Sequence, residues 1–294
     1  MNIRLANAPV SWGIMEVEGW SPPLTYATFL DELKSAGYEG TELGPYGYLP
    51  TDPEVLAAEL ERRSLVLTSA FVPLRLKEPG LDLDQARAVG RLLRALGAGY
   101  LVLSDALWPE REAVAGRVEE NDVRLTDRDW DVAAQNIRAV CELAAGLDLR
   151  CVFHHHAGSY IETPAEARRL LETTEVGLCL DTGHYAYGGG DPVEAVESFG
   201  RRVQYLHFKD VNPRRLGTAR RSQLDFLGGV RAGVFCELGS GCVRFPELLQ
   251  RLYQIGYDGW AVVEQDVDAS RPGAATPFES ARASREYLRT TLGI

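Results

Sequence analysis

Three of the chain's five histidines stand side by side in CVFHHHAG, residues 151–158. The other two lie in LDTGH (180–184) and HFKD (207–210). Each stretch closes an apolar run, and a fourth such run, AVVEQD (261–266), closes on Glu264. Imidazoles and carboxylates gathered at one pole suit a divalent cation such as Mn2+, Co2+, Zn2+ or Fe2+. Thiolate ligation is not indicated, because Cys151 and Cys179 sit two or more positions back in their runs.

Side chains alternate along a strand, so His154 and His156 share a face and His155 points the other way. We read His154 as a metal ligand and His156 as a substrate contact, with His155 packing behind them. Asp181 can bind metal while His184, on the following turn, reaches a substrate oxygen. His207 and Lys209 share a face, and Lys209 is long enough to neutralise an alkoxide or a phosphate. The bland alternative for Lys209 is a salt bridge to Asp210 or another carboxylate. A glutamate ending an apolar strand marks Glu264 as a site residue. Four further residues close apolar runs: Glu42 and Asp105 are candidate substrate contacts, and Trp12 and Phe71 candidate pocket walls.

These groups converge only if the elements beneath them converge. Short β-like runs appear at 3–8, 40–43, 65–71, 100–104, 149–154, 176–181, 203–208 and 260–264. Helical patterns fill 25–36, 53–63, 82–96, 127–145, 164–173, 191–199, 245–255 and 277–291. Asp52-Pro53, Thr163-Pro164 and Asp191-Pro192 each put a capping residue before a proline at the first helical position. LKSAGYEGTELG (33–44) and LYQIGYDGWAVVEQ (252–265) repeat one helix–glycine–strand unit, and LLRALGAGYLVLSD (92–105) is a looser copy. Eight strands alternating with eight helices predict one α/β domain over 1–294, a parallel (β/α)8 TIM barrel. A doubly wound sheet is the runner-up, but ANAPVSWG after the first strand is not a glycine-rich phosphate turn. The connections at about 105–126 and 210–238 are long and fall on the C-terminal side of their strands, where lids and binding loops occur. In a barrel, all the candidate residues meet at that mouth.

A net charge of −11 argues against nucleic acid or an anionic membrane surface as partner. Five cysteines, an odd number without a CxxC, read as reduced thiols of a cytoplasmic protein. The N-terminus has no signal-peptide pattern. No apolar run approaches the roughly 18 residues of a membrane span.

GYEGTELG (37–44), FHHH (153–156), LDTGH (180–184), HFKD (207–210), ELGSGCVRF (237–245) and GYDGWAVVEQD (256–266) together resemble the xylose isomerase-like barrel superfamily. That superfamily holds sugar isomerases, ketose 3-epimerases, inosose dehydratases, dehydroshikimate dehydratases and endonuclease IV. The resemblance covers nearly the whole chain. It implies one metal held after strands five to eight, here by His154, Asp181, His207 and Glu264, with His184 contacting substrate. Epimerases and isomerases of the group carry glutamate where His154 stands. The triple histidine is similar to that of the inosose dehydratases, which remove water from 2-keto-myo-inositol. Imidazole in place of carboxylate leaves a metal less neutralised and a stronger Lewis acid, which suits elimination.

The expectation is therefore a metal-dependent dehydratase of a small keto-polyol or sugar, with Glu264, His156, His184 and Lys209 as catalytic groups. The alternative is a sugar or sugar-phosphate isomerase or epimerase using the same fold and metal site. An endonuclease would need a richer metal cluster and a DNA-binding face. A polyol binder without turnover would not need so complete a set of acids and ligands. Barrels of this kind often pair, which makes a homo-oligomer an expectation, although no stretch identifies an interface.

Overall fold

The computed structural model describes residues 2–294 other than 18, 21, 272 and 273. Its strands in chain order are β1 (Ile3–Asn7), β2 (Gly40–Glu42), β3 (Val66–Leu74), β4 (Tyr100–Asp105), β5 (Arg150–His154), β6 (Gly177–Asp181), β7 (Val203–Phe208), β8 (Asp210–Val211), β9 (Phe235–Cys236) and β10 (Gly259–Val263). Eight of them close a parallel barrel in the order β1-β10-β7-β6-β5-β4-β3-β2, with β1 paired to β2. The strands read from the sequence are these eight, with no end shifted by more than three residues. The barrel architecture follows from that order.

The long helices also lie where the sequence places them: α1 (Tyr26–Ser35), α2 (Pro53–Glu61), α3 (Asp84–Ala95), then, after a single turn α4 (Pro109–Glu112), α5 (Asp127–Ala145) and α6 (Pro164–Thr173). The caps form as expected. Asp52 accepts from the backbone of Glu54 and Val55, Thr163 makes a reciprocal capping box with Glu166, and Asp191 accepts from Val193. Gly37, Gly97 and Gly256, at the equivalent point of the three repeated units, adopt φ of +94°, +69° and +72°. That left-handed turn lets each helix double back into its strand, and glycine adopts it without steric cost.

Along the barrel strands the two faces separate cleanly. Leu5, Leu101, Leu103, Phe153, Leu178, Leu180, Leu206, Phe208, Ala261 and Val263 face the helices and join the main core. Ala6, Ala8, Val102, Val152, Cys179, Tyr205, Trp260 and Val262 fill the barrel interior. The interior row sets which later residues enter the mouth. Continued by twos, it reaches His154 at the end of β5 and His156 beyond it, Asp181 at the end of β6, His207 on β7 and Lys209 just past it, and Glu264 and Asp266 just past β10.

After β6 the chain forms α7 (Thr182–Tyr187) and α8 (Pro192–Phe199). The segment after β7 is not a loose loop. It folds into β8, α9 (Pro213–Arg221), α10 (Phe226–Arg231) and β9, with β8 and β9 antiparallel. This unit has its own apolar cluster, including Tyr187, Val211, Leu216, Phe226, Val230 and Phe235. Arg117, from the segment after β4, donates to the Leu224 carbonyl, so the two long connections are tied together. The chain ends in α11 (Phe245–Gln254) and α12 (Pro277–Tyr287). Among the described residues, no helix is long and apolar enough to cross a membrane.

Candidate metal centre and active site

At the C-terminal mouth, His154, Asp181, His207 and Glu264 are all buried, and one donor atom from each lies within 4.8 Å of the others. His154 Nε2 is 3.3 Å from an Asp181 oxygen. His207 Nδ1 is 3.0 Å from a Glu264 oxygen and 3.7 Å from one of Asp181. The opposite nitrogen of His207, Nε2, meets Glu42 Oε1 at 2.9 Å. Glu42 is itself held by the Ser69 hydroxyl at 2.7 Å. Burial disfavours a charged ring, but Cys179, Glu264 and Glu42 raise the His207 pKa well above the ordinary imidazole value, so the metal-free ring carries a proton on each nitrogen. A cation bound among these carboxylates would take the place of the Nδ1 proton. The donor set therefore fits a divalent metal, and Glu42–His207 is the carboxylate–histidine arrangement that orients a ligand.

A second group stands beside the first. His184 Nε2 and Asp266, 3.3 Å apart, both meet the Lys209 ammonium, at 2.9 and 2.7 Å, and Lys209 Nζ is also 3.2 Å from both Asp181 and Glu264. The His156 and His184 rings are 3.9 Å apart. Three carboxylates converge on one ammonium, leaving buried negative charge that a metal would offset.

The electrostatics follow from that layout. Burial opposes ionisation of Glu264, but His207 and Lys209 outweigh it and lower its pKa to about 2. Burial likewise opposes Asp181, yet the Lys209 ammonium holds it well below the ordinary carboxyl value. Burial also disfavours the Lys209 charge, and Asp181, Asp266 and Glu264 more than restore it, raising its pKa. His184, buried next to Lys209, and His156, buried next to His184 and His154, are pushed well below the ordinary imidazole value. They are neutral bases at neutral pH, whereas Glu264 is held as an anion of low basicity. Its charge is fixed by its neighbours, which suits a ligand.

The other candidate residues divide. Phe71 lines the cavity and lies edge-on to His154 at 5.4 Å. Glu42 lines it too, although one of its oxygens is taken by His207 and Ser69. Trp12 does not line the cavity. The chain after β1 turns through a 3-10 segment, Pro9–Trp12, which places the indole against Phe29 with its N–H on Glu32. Asp105 is also outside. It shares a face with Leu101 and Leu103, toward the helices, and accepts from the Leu76 and Tyr160 backbone and the Trp108 indole. It anchors connections instead of touching substrate. Lys209 is paired inside the site and not with Asp210, whose carboxylate accepts from Val211, Gly239, Gly241 and Val243. His155 lies behind the site, beside Tyr185, with its pKa lowered to about 3 by burial and then by His154.

Two residues absent from the sequence reading join the cavity, Asp266 and Glu16. Asp266 was legible, since it continues the Val262–Glu264 face by one more step. Glu16 lies in irregular chain after the 3-10 turn, where no periodicity points to it. The cavity is narrow, with about 60 Å³ of free volume, and is lined by Pro9, Val10, Ile14 and Met15 besides the groups above. Phe226 and Phe235, from the unit after β7, pack at 5.1 Å from His156 and 5.3 Å from His184 respectively, shielding that side from solvent.

A family model described as xylose isomerase-like TIM barrel matches residues 30–291. The chain belongs to that family. Within it, the chain is 33% identical over 298 residues to an inosose dehydratase of Geobacillus kaustophilus (strain HTA426), covering 97% of this chain and 93% of that protein. Among solved structures of the same architecture, it is similar to the IolI protein with a bound zinc atom, with a TM-score of 0.71 at 13% identity, covering 99% and 98% of the two chains. It is also similar to 3-keto-D-glucoside 4-epimerase, YcjR, from E. coli, with a TM-score of 0.70 at 18% identity, covering 98% and 100%. Those two likenesses concern the fold. The full-length relative is a dehydratase, and this xylose isomerase-like barrel is an enzyme.

Proposed function

We propose that this enzyme is a divalent-metal-dependent dehydratase of a cyclic keto-polyol of the inosose class. The reading is carried by one observation: a buried metal-type donor set, with histidine at the strand-five position, adjoins two neutral imidazoles and an ammonium that line one cavity at the barrel mouth. The full-length relative that is an inosose dehydratase supports it.

His154, Asp181, His207 and Glu264 would hold the cation, which when bound supplies Lewis acidity that polarises a ketone and acidifies the neighbouring C–H. Burial and the Phe226–Phe235 wall keep the site dry, which strengthens each charge interaction. Neutral His156, on the cavity wall, accepts the proton from the carbon next to the ketone. The Lys209 ammonium, fixed by Asp266, donates hydrogen bonds to the oxygen on which negative charge develops. The electron pair of the broken C–H bond forms the carbon–carbon double bond. The β-hydroxyl then leaves as water, taking the proton that His156 has accepted. His184 sits between Ala157 N–H and Lys209 and positions both.

The alternative, a sugar isomerase or epimerase, uses the same proton abstraction and retains the hydroxyl. The test is to strip the protein with chelator, add 2-keto-myo-inositol, and restore Mn2+ or Co2+ while following ultraviolet absorbance of a conjugated product. Absorbance that grows only after metal is restored is expected. Equal turnover in chelator would overturn the metal dependence, and no absorbance under any condition would overturn the dehydratase reading.

A further inference from the structure

In the LDTGH stretch, Asp181 and His184 have places in the site, but the two residues between them do not line the cavity. Thr182 and Gly183 are nevertheless fully buried, at the start of α7. The backbone explains why they lie beside Lys209. The ladder between β6 and β7 ends with Asp181 opposite His207. There Asp181 Oδ1 accepts from the His184 backbone N–H at 2.7 Å and turns the chain into α7. Lys209, two residues past His207, therefore has no β6 strand to pair with, and its buried N–H and C=O need other partners.

One hydroxyl supplies both. Thr182 Oγ1 accepts from Lys209 N–H at 2.9 Å and donates to the Lys209 carbonyl at 2.6 Å. A hydroxyl carries one donor and two lone pairs, so it can serve the two groups at once, as a neighbouring strand would. Gly183 gives room to the side chain. It is not in a left-handed conformation, so backbone freedom is not what it supplies. A Cβ at this position would lie 2.5 Å from Lys209 Cγ, 2.7 Å from its Cβ and 2.9 Å from its Cδ. Carbon atoms in contact sit about 3.5–4.0 Å apart. The Lys209 stem thus runs over the bare face of Gly183 on its way to Asp266 and His184, 2.7 and 2.9 Å from Nζ. With the Lys209 backbone held by Thr182, a side chain at 183 could be accommodated only by turning the stem, which carries Nζ off those partners.

We infer that Thr182 and Gly183 are positioning residues for the Lys209 ammonium. The hydroxyl fixes the root of the side chain and the glycine keeps open the path of its stem. Four consecutive residues then serve one centre: Asp181 faces the metal-type donors, Thr182 and Gly183 place the ammonium, and His184 meets it. The part that this ammonium plays in turnover rests on the dehydratase reading; its placement does not.

The chain has three lysines, Lys34, Lys77 and Lys209, which makes the placement visible by NMR. Protein labelled with 13C at the lysine ε-carbon and loaded with Zn2+ should give three signals. Lys34→Arg and Lys77→Arg assign two of them and leave the third to Lys209. In Thr182→Val and in Gly183→Ala the Lys209 signal should move while those of Lys34 and Lys77 stay, and Thr182→Ser, which keeps the hydroxyl, should restore it. With Mn2+ and 2-keto-myo-inositol, Thr182→Val should lower kcat about 10- to 100-fold and change KM by less than about twofold. It should add no further loss in a Lys209→Met background. A Lys209 signal unmoved in Thr182→Val and Gly183→Ala would overturn the assignment, as would equal movement of all three signals, which marks a general loss of structure. If Gly183→Ala fails to fold, Thr182→Val and Thr182→Ser decide alone. A moved Lys209 signal with wild-type kcat would refute the ammonium's part in turnover and uphold its placement. If the wild type loses no water from the substrate, the dehydratase reading falls and the lysine signals still decide the placement.

Discussion

Glu42→Ala isolates the least visible part of the metal centre. Glu42 Oε1 lies 2.9 Å from His207 Nε2 and accepts from Ser69 at 2.7 Å, and all three residues are at most 1% exposed. Removing the carboxylate leaves Ser69 with the Tyr205 hydroxyl at 2.8 Å, so only the imidazole N–H is orphaned. One orphaned buried donor costs about 1–3 kcal/mol. If that cost falls on the state in which Nδ1 binds metal, affinity drops about 10- to 100-fold, the range expected for an outer carboxylate of a histidine ligand. The assay is Co2+ titration of the stripped protein, followed by visible absorbance. Glu42→Gln keeps an oxygen for Nε2–H and should fall between wild type and Glu42→Ala. Asp105→Asn, whose carboxylate serves backbone and indole donors away from the cavity, should lower Tm while leaving the metal Kd unchanged. Equal Kd for Glu42→Ala and wild type would refute the reasoning, as would a metal defect in Asp105→Asn equal to that of Glu42→Ala.

Three further outcomes follow. His154→Asn should weaken Co2+ binding, whereas His155→Asn, on the opposite face, should leave it within about twofold; equal losses in both would mean that the facing of β5 does not govern the site. Lys209→Met removes the one ammonium among Asp181, Glu264 and Asp266 and should destabilise the stripped protein by about 3–5 kcal/mol in urea unfolding, with a smaller effect once metal is added. Glu162 bridges the two connections after β4 and β5 by accepting from Gly116 N and Gly158 N. Burial raises its pKa from 4.5 to about 7, with Arg111 opposing. A raised carboxyl binds more protons folded than unfolded, so its contribution is full below pH 4.5 and is lost as pH rises toward 7. Glu162→Gln should flatten that fall in Tm, and an unchanged pH slope would count against it.

Much of the site was legible because the interior row of each strand runs straight into it. His154, Asp181, His207 and Glu264 extend the rows of Val152, Cys179, Tyr205 and Val262, and period-two alternation needs no tertiary information. Asp105 was misplaced for the same reason in reverse: counting back to Leu103 and Leu101 puts it on the helix side. Trp12 failed because a 3-10 turn breaks the alternation after β1, and that turn has no strand or helix period to read. The unit after β7 looked irregular because Gly217, Gly228 and Gly229 depress helix propensity. Asn212-Pro213 and Asp225 nevertheless cap α9 and α10, and the Asn-Pro pair repeats the device seen before α2, α6 and α8. Glu16 depends on which segment lies across the ring from β5, a matter of closure that local sequence does not express.

The most direct measurement is the mass of the product formed from 2-keto-myo-inositol by Mn2+-loaded enzyme. The account predicts a product lighter than the substrate by one water. A product of unchanged mass, carrying deuterium when the reaction is run in D2O, would contradict it and make the enzyme an isomerase or epimerase.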